Sequence, residues 1–166
     1  VCSSDLLYLS FRNVRLFESL DKDELSALSE LTFVRTFEKD NVIIWAEDEG
    51  DALFIIAEGQ VKVSIVSEDG REVILSLLSK NAVFGELALL DGRPRSANVI
   101  AIEETQLVML RRIDFLALIQ KTPSIAVALL AELASRLRKT DRQIEGLALL
   151  DVASRISDTL LQLSIE

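Results

Sequence analysis

Ala52-Leu53-Phe54-Ile55-Ile56-Ala57-Glu58-Gly59-Gln60-Val61-Lys62-Val63-Ser64-Ile65-Val66 decides the fold. Two runs of aliphatic, β-branched and aromatic residues flank a polar break centred on a glycine. Side chains of that type suit a pleated strand, and glycine punctuates the turn between strands. The second run alternates Val61, Val63 and Ile65 with Lys62 and Ser64, so one of its faces is expected to be wet. The same texture continues outward. Residues 32–38, 42–45 and 72–78 are further short strand-like runs, separated by Lys39-Asp40-Asn41, by residues 47–51 and by Glu68-Asp69-Gly70. Residues 97–102 and 106–110 add two more. Regularly spaced short strands imply a compact antiparallel barrel or roll, and Trp45 is expected to fill its interior.

The series is interrupted by Phe84-Gly85-Glu86-Leu87-Ala88-Leu89-Leu90-Asp91-Gly92-Arg93-Pro94-Arg95-Ser96-Ala97. This stretch holds a glycine turn, a carboxylate, a short apolar helical turn and a proline-fixed loop that delivers an arginine and a hydroxyl. Free N–H groups at a helix start favour an anion. Arg95 adds a permanently charged forked donor, and Ser96 a neutral one. Glu86 would repel a phosphate, and it reads better as an acceptor for a sugar hydroxyl. The constellation reads as a nucleotide-phosphate pocket. Two other readings stay open: an ordinary β-turn with a Glu86–Arg95 salt bridge, and a pocket that serves a different effector or none.

At Gly85-Glu86-Leu87-Ala88-Leu89 and Arg95-Ser96-Ala97 the chain resembles the phosphate-binding cassette of cyclic nucleotide-binding domains. Such domains occur in bacterial catabolite-activator (Crp/Fnr-type) transcription regulators and in regulatory subunits of cyclic-AMP-dependent kinases. The resemblance implies that Gly85 supplies backbone contacts and Glu86 binds the ribose 2′-hydroxyl. It implies that Arg95 pairs with the cyclic phosphate and Ser96 hydrogen-bonds it, with Leu87 and Ala97 in the same ligand-binding set. The implied ligand is cyclic AMP, with cyclic GMP as the other candidate. Asn98 stands where many relatives carry threonine, and Gly50-Asp51 looks like the turn that precedes a core strand in this family. The implied fold class is α+β: an antiparallel, jelly-roll-like β-roll with short N-terminal helices and a long C-terminal dimerisation helix.

Composition narrows the chemistry. The chain has 166 residues, 49% of them hydrophobic, which suits one sensory domain with a helical extension. A net charge of −9 disfavours nucleic-acid binding by these residues themselves. There is no histidine, and Cys2 is the single cysteine. Triad catalysis, zinc–histidine sites and iron–sulfur ligation therefore lack their side chains, and the expectation is a non-enzyme without metal, haem or iron–sulfur cluster. The apolar stretches are too short to span a membrane, and no signal peptide is evident, so a cytoplasmic setting without membrane partners is expected. The opening Val-Cys-Ser-Ser-Asp has no pattern and reads as a truncation or cloning scar.

The flanks read as helical. Residues 11–31 have helical spacing, and Asp21 followed by Glu24 predicts a capping box at the start of a second short helix. Helix resumes near Ile113, and Pro123 suits the first turn of a long helix. Within it Leu130, Leu133, Leu137, Thr140, Ile144 and Leu147 form a heptad seam, the pattern by which two helices pack side by side. A homodimer through this helix is the expectation. By the resemblance to Crp-type regulators, Thr140 and Asp141 contact the nucleotide base. Gly146 loosens the helix, Asp151 can cap another, and residues 151–163 carry one apolar face. The expected organisation is a cyclic nucleotide-binding roll over 1–122, a dimerisation helix over 123–150, and over 151–166 the hinge and first helix of a truncated winged helix-turn-helix domain. DNA would be a partner only through that missing domain.

Overall fold

A computed structural model describes residues 11–149. Its strands are β1 (Thr32–Phe37), β2 (Val42–Ile44), β3 (Ala52–Glu58), β4 (Gln60–Val66), β5 (Glu72–Ser79), β6 (Val83–Phe84), β7 (Asn98–Ala101) and β8 (Thr105–Arg111). They form two four-stranded sheets, ordered β1-β8-β3-β6 and β2-β7-β4-β5, with every pairing antiparallel. The chain changes sheet at each link except the β4–β5 hairpin, which makes the architecture a jelly roll. The fold observed is the antiparallel roll that the strand spacing allowed and the α+β class that the resemblance implied. β6 was not foreseen, because two residues leave no periodicity to read.

Gly59 shows how the chain crosses between sheets. β3 ends at Glu58 and β4 begins at Gln60, so a single residue turns the corner, with φ +91°. A Cβ there would lie 2.8 Å from Thr105 Cα, so the corner needs both the conformation and the smallness of glycine. The buried Thr105 hydroxyl braces it, 3.1 Å from Gln60 O and 2.9 Å from Glu103 O. Between the sheets lies a core that includes Phe37, Ile44, Phe54, Ile56, Phe84 and Leu107.

Two expectations are corrected here. Trp45 does not fill the roll: it is 59% exposed. β2 stops at Ile44, and Trp45 opens a turn in which its carbonyl accepts from Asp48 N at 3.4 Å, so its ring leaves the strand's alternation. Nor does β4 keep a clean wet face. Its register against β5 runs Val63↔Ser76 and then Ser64↔Ile74, a bulge that leaves Leu75 without a counterpart. Past the bulge Ser64 is fully buried while Ile65 and Val66 are exposed.

Helices flank the roll. Residues 11–20 shorten to tight turns, with i→i−3 bonds such as Phe17 N to Val14 O at 2.9 Å and a 3₁₀ turn over Arg15–Phe17. Phe11 meets Phe17 edge to face, ring centres 5.6 Å apart. Helix α1 (Lys22–Glu30) starts at the expected capping box: Glu24 N donates to Asp21 Oδ1 at 2.8 Å and Asp21 N to Glu24 Oε2 at 3.0 Å. Helix α2 (Glu86–Asp91) lies between β6 and β7, and α3 (Arg112–Lys121) follows β8. Thr122 breaks away at φ −129°, as the residue before a proline tends to, and α4 (Pro123–Leu149) begins at Pro123.

The chain divides into two compact units, Val1–Ile125 and Ala126–Glu166. Among the described residues no single helix is long and apolar enough to cross a membrane. The predicted apolar face over 151–163, Asp151 and Cys2 lie outside the described residues.

Candidate ligand-binding site

The pairing of β6 with β3 sets the site. In register, Phe54 faces Phe84 and Ile55 faces Val83, so the chain leaves the sheet at Gly85. Gly85 takes φ +82° and ψ 4°, a left-handed conformation that swings the backbone into α2. Glu86, first in that helix, is buried, as are Ala88 and Leu89, whereas Leu87 and Leu90 are exposed. Gly92, also left-handed, ends the helix with its N–H on Ala88 O at 3.1 Å. Arg93 and Pro94 lead to Arg95, whose backbone is fastened to the acidic turn: Arg95 N donates to Asp48 O at 2.8 Å and Glu47 N to Arg95 O at 2.9 Å.

The Arg95 side chain turns inward and is only 5% exposed. Nη1 donates to Gly85 O and Nη2 to Ala52 O, both at 2.8 Å. The guanidinium carbon stands 5.6 Å from the centre of the Phe54 ring, and Phe54 stacks on Phe84 with centroids 5.1 Å apart and planes 7° from parallel. Asp51 Oδ1 is 3.9 Å from Nη2, but its side chain is in solvent. Burial pulls the Arg95 pKa below its ordinary value, while the carboxylates of Asp51, Glu86 and Asp48 act in the opposite direction. Gly50 lies against Ala88 Cβ and the guanidinium, so a side chain at Gly50 would have no room.

Of the expected residues, the structure brings Gly85, Glu86 and Arg95 to the start of α2. Gly85, Glu86 and Leu87 open α2, and Arg95 reaches back to Gly85. Ser96 is exposed and Ala97 is buried next to β7. Asn98 serves the scaffold, its Oδ1 accepting from Ala46 N at 2.8 Å. Thr140 and Asp141 lie on α4, both exposed, with Thr140 Oγ1 donating to Arg136 O at 3.1 Å. Arg112, unremarked in the sequence, ties the end of α2 to the start of α3 through Nε to Leu89 O at 3.0 Å. Phe54, Phe84 and the Ala52 carbonyl were likewise not singled out. Nothing in an apolar residue type distinguishes a ring beneath a cation, as Phe54 is, from one that only packs in the core.

The arrangement can hold an anion and orient it; among the described residues no group of acidic, histidine or cysteine side chains is built to hold a metal ion. The family model described as the cyclic nucleotide-binding domain matches residues 34–122. The chain is 36% identical over 148 residues to the cyclic AMP receptor protein of Thermus thermophilus, covering 89% of this chain and 68% of that protein. It is 32% identical over 149 residues to a CRP-like cAMP-activated global transcriptional regulator of Mycobacterium tuberculosis, covering 90% of this chain and 66% of that one. The crystal structure of the Thermus thermophilus catabolite activator protein superposes with a TM-score of 0.73 at 36% identity, over 81% of this chain and 63% of that one. The chain thus spans about two thirds of the length of these relatives.

Proposed function

The chain belongs to the cyclic nucleotide-binding domain family, in the Crp/Fnr-type branch, and from that premise we propose that it is the ligand-sensing module of a transcription regulator, binding cyclic AMP. It is a binding module and not an enzyme. The observation that carries this reading is the buried Arg95, held by its own fork against Gly85 and Ala52 at the start of α2. A cation kept out of water at a helix start is suited to an anion that completes its hydrogen bonds. We assign the cyclic phosphate to Arg95, Ser96 and the Gly85 backbone, the ribose 2′-hydroxyl to Glu86, and neighbouring contacts to Leu87 and Ala97. The base is assigned to Thr140 and Asp141, whose carboxylate would accept from an exocyclic amino group. Two copies would pair through the seam of α4, and residues 151–166 would begin a domain that contacts DNA. A ligand shifts such a regulator only through its different affinity for two states.

The test is calorimetric titration of the chain with cyclic AMP and then cyclic GMP, beside Arg95→Ala. Removing a charge-assisted partner costs about 1.5–3 kcal/mol, so the variant should bind roughly ten- to a hundredfold more weakly. Equal binding by the folded variant would refute the assignment. Dimerisation without heat from either nucleotide would favour an effector-independent scaffold, a reading supported by the exposed seam of α4.

A further inference from the structure

We infer that Phe54 is a positioning residue for Arg95, fixing the plane of the guanidinium so that its unspent N–H groups face one direction. The inference rests on the reading of Arg95 as the anion anchor and adds a residue which that reading does not contain. An arginine has four flexible side-chain bonds and five N–H donors. Here Nη1 and Nη2 bind carbonyls from two different segments, Gly85 beyond β6 and Ala52 in β3. Two hydrogen bonds to backbone anchor the nitrogens, and the Phe54 ring supplies a surface beside them. At 5.6 Å the guanidinium is within the range in which a ring quadrupole attracts a cation. Desolvation strengthens that attraction, and Arg95 and Phe54 are both buried.

The same pairing fixes every part of the seat. Phe54 on β3 is the cross-strand partner of Phe84, and Gly85 follows Phe84, so the β3–β6 pairing brings the backing ring and the Gly85 carbonyl together. Gly85 leaves the room: a Cβ on it would stand 2.6 Å from Arg95 Nη1 and 3.2 Å from Phe54 Cδ2. A leucine at position 54 would fill much of the volume but would offer neither a flat face nor a quadrupole.

The test uses arginine-labelled NMR of the ligand-free chain, with the Arg95 signals assigned through Arg95→Lys. In the parent, ring current should shift the Arg95 guanidinium protons upfield, and rotation about its C–N bonds should be slow. Phe54→Leu should lose both signatures and weaken cyclic AMP binding about three- to tenfold. Phe54→Tyr should keep both. Phe37→Leu removes a ring of the same size from the same core, on β1 and outside the seat; it should keep the slow rotation and bind within twofold of the parent. If Phe54→Leu does not fold, Phe54→Met carries the same expectation. Slow Arg95 rotation kept in the leucine variant would overturn the inference, and so would equal losses of rotation and affinity in Phe54→Leu and Phe37→Leu, which would mean general core packing. If the parent shows the signatures but binds no cyclic nucleotide, the seat stands and the proposed function falls.

Discussion

Gly85, with φ +82°, stands where strand becomes helix and where Arg95 is received. An L-residue in that conformation strains its own backbone, by about 1–2 kcal/mol. Here the added methyl would also meet Arg95 Nη1. Gly85→Ala should therefore lower unfolding stability by roughly 1–3 kcal/mol in urea titration. Stability equal to the parent would show that the left-handed turn is not required. Trp45 is the opposite case. A large aromatic at the end of a strand-like run reads as core, because residue type carries no record of where the strand stops. At 59% exposure, Trp45→Gln should cost under about 1 kcal/mol, whereas truncating a core aromatic costs about 3–5 kcal/mol. Arg95, Glu86 and Gly85 were legible because charge and turn residues are rare in strands. Phe54 was not, since its role depends on what lies against it.

At the scale of elements, seven of the eight strands followed from short β-branched runs between polar or glycine turns, and the capping box at Asp21 followed from its spacing to Glu24. What the spacing could not carry is register. The bulge in the β4–β5 hairpin turns Ser64 inward, and Glu72 answers it: Glu72 Oε1 accepts from Ser64 Oγ at 2.7 Å and Oε2 from Lys62 Nζ at 2.8 Å. The Lys62 bond first, then that of Ser64, holds the Glu72 carboxyl below the usual carboxylate range. A carboxyl whose pKa is lowered on folding favours the folded state above its unfolded value, ordinarily about 4.3, and that contribution fades as pH falls through the lowered folded value. The melting temperature of the parent should exceed that of Glu72→Gln at neutral pH, and the difference should shrink through this acidic window. A carbon-detected titration of the Glu72 carboxyl should place its midpoint below that of a glutamate without such partners. A difference in melting temperature that did not change with pH would remove Glu72 as the titrating group.

For the whole molecule, the two units differ in the kind of surface each presents. The roll buries its own core, whereas α4 leaves Leu130, Leu137, Ile144 and Leu147 in solvent on one stripe, Leu137 at 62% and Leu147 at 70% exposure. An apolar stripe of heptad spacing has a natural partner in a second copy of itself, since each seam residue then packs among four from the facing helix. The opposing factor is charge, because each copy carries −9. Like charges on separate chains repel over about 30 Å at 0.01 M salt but only about 10 Å at 0.1 M. Dimerisation should therefore strengthen as salt rises, the reverse of an interface held by ion pairs. Leu137→Asp would bring a carboxylate from each copy into the apolar seam, where both lose their water. Sedimentation equilibrium should find the parent dimeric at micromolar concentration and the variant monomeric, with far-ultraviolet circular dichroism of the roll unchanged. A variant that remained dimeric would move the interface off this stripe, and a dimer weakened by salt would assign it to charge rather than to the leucines.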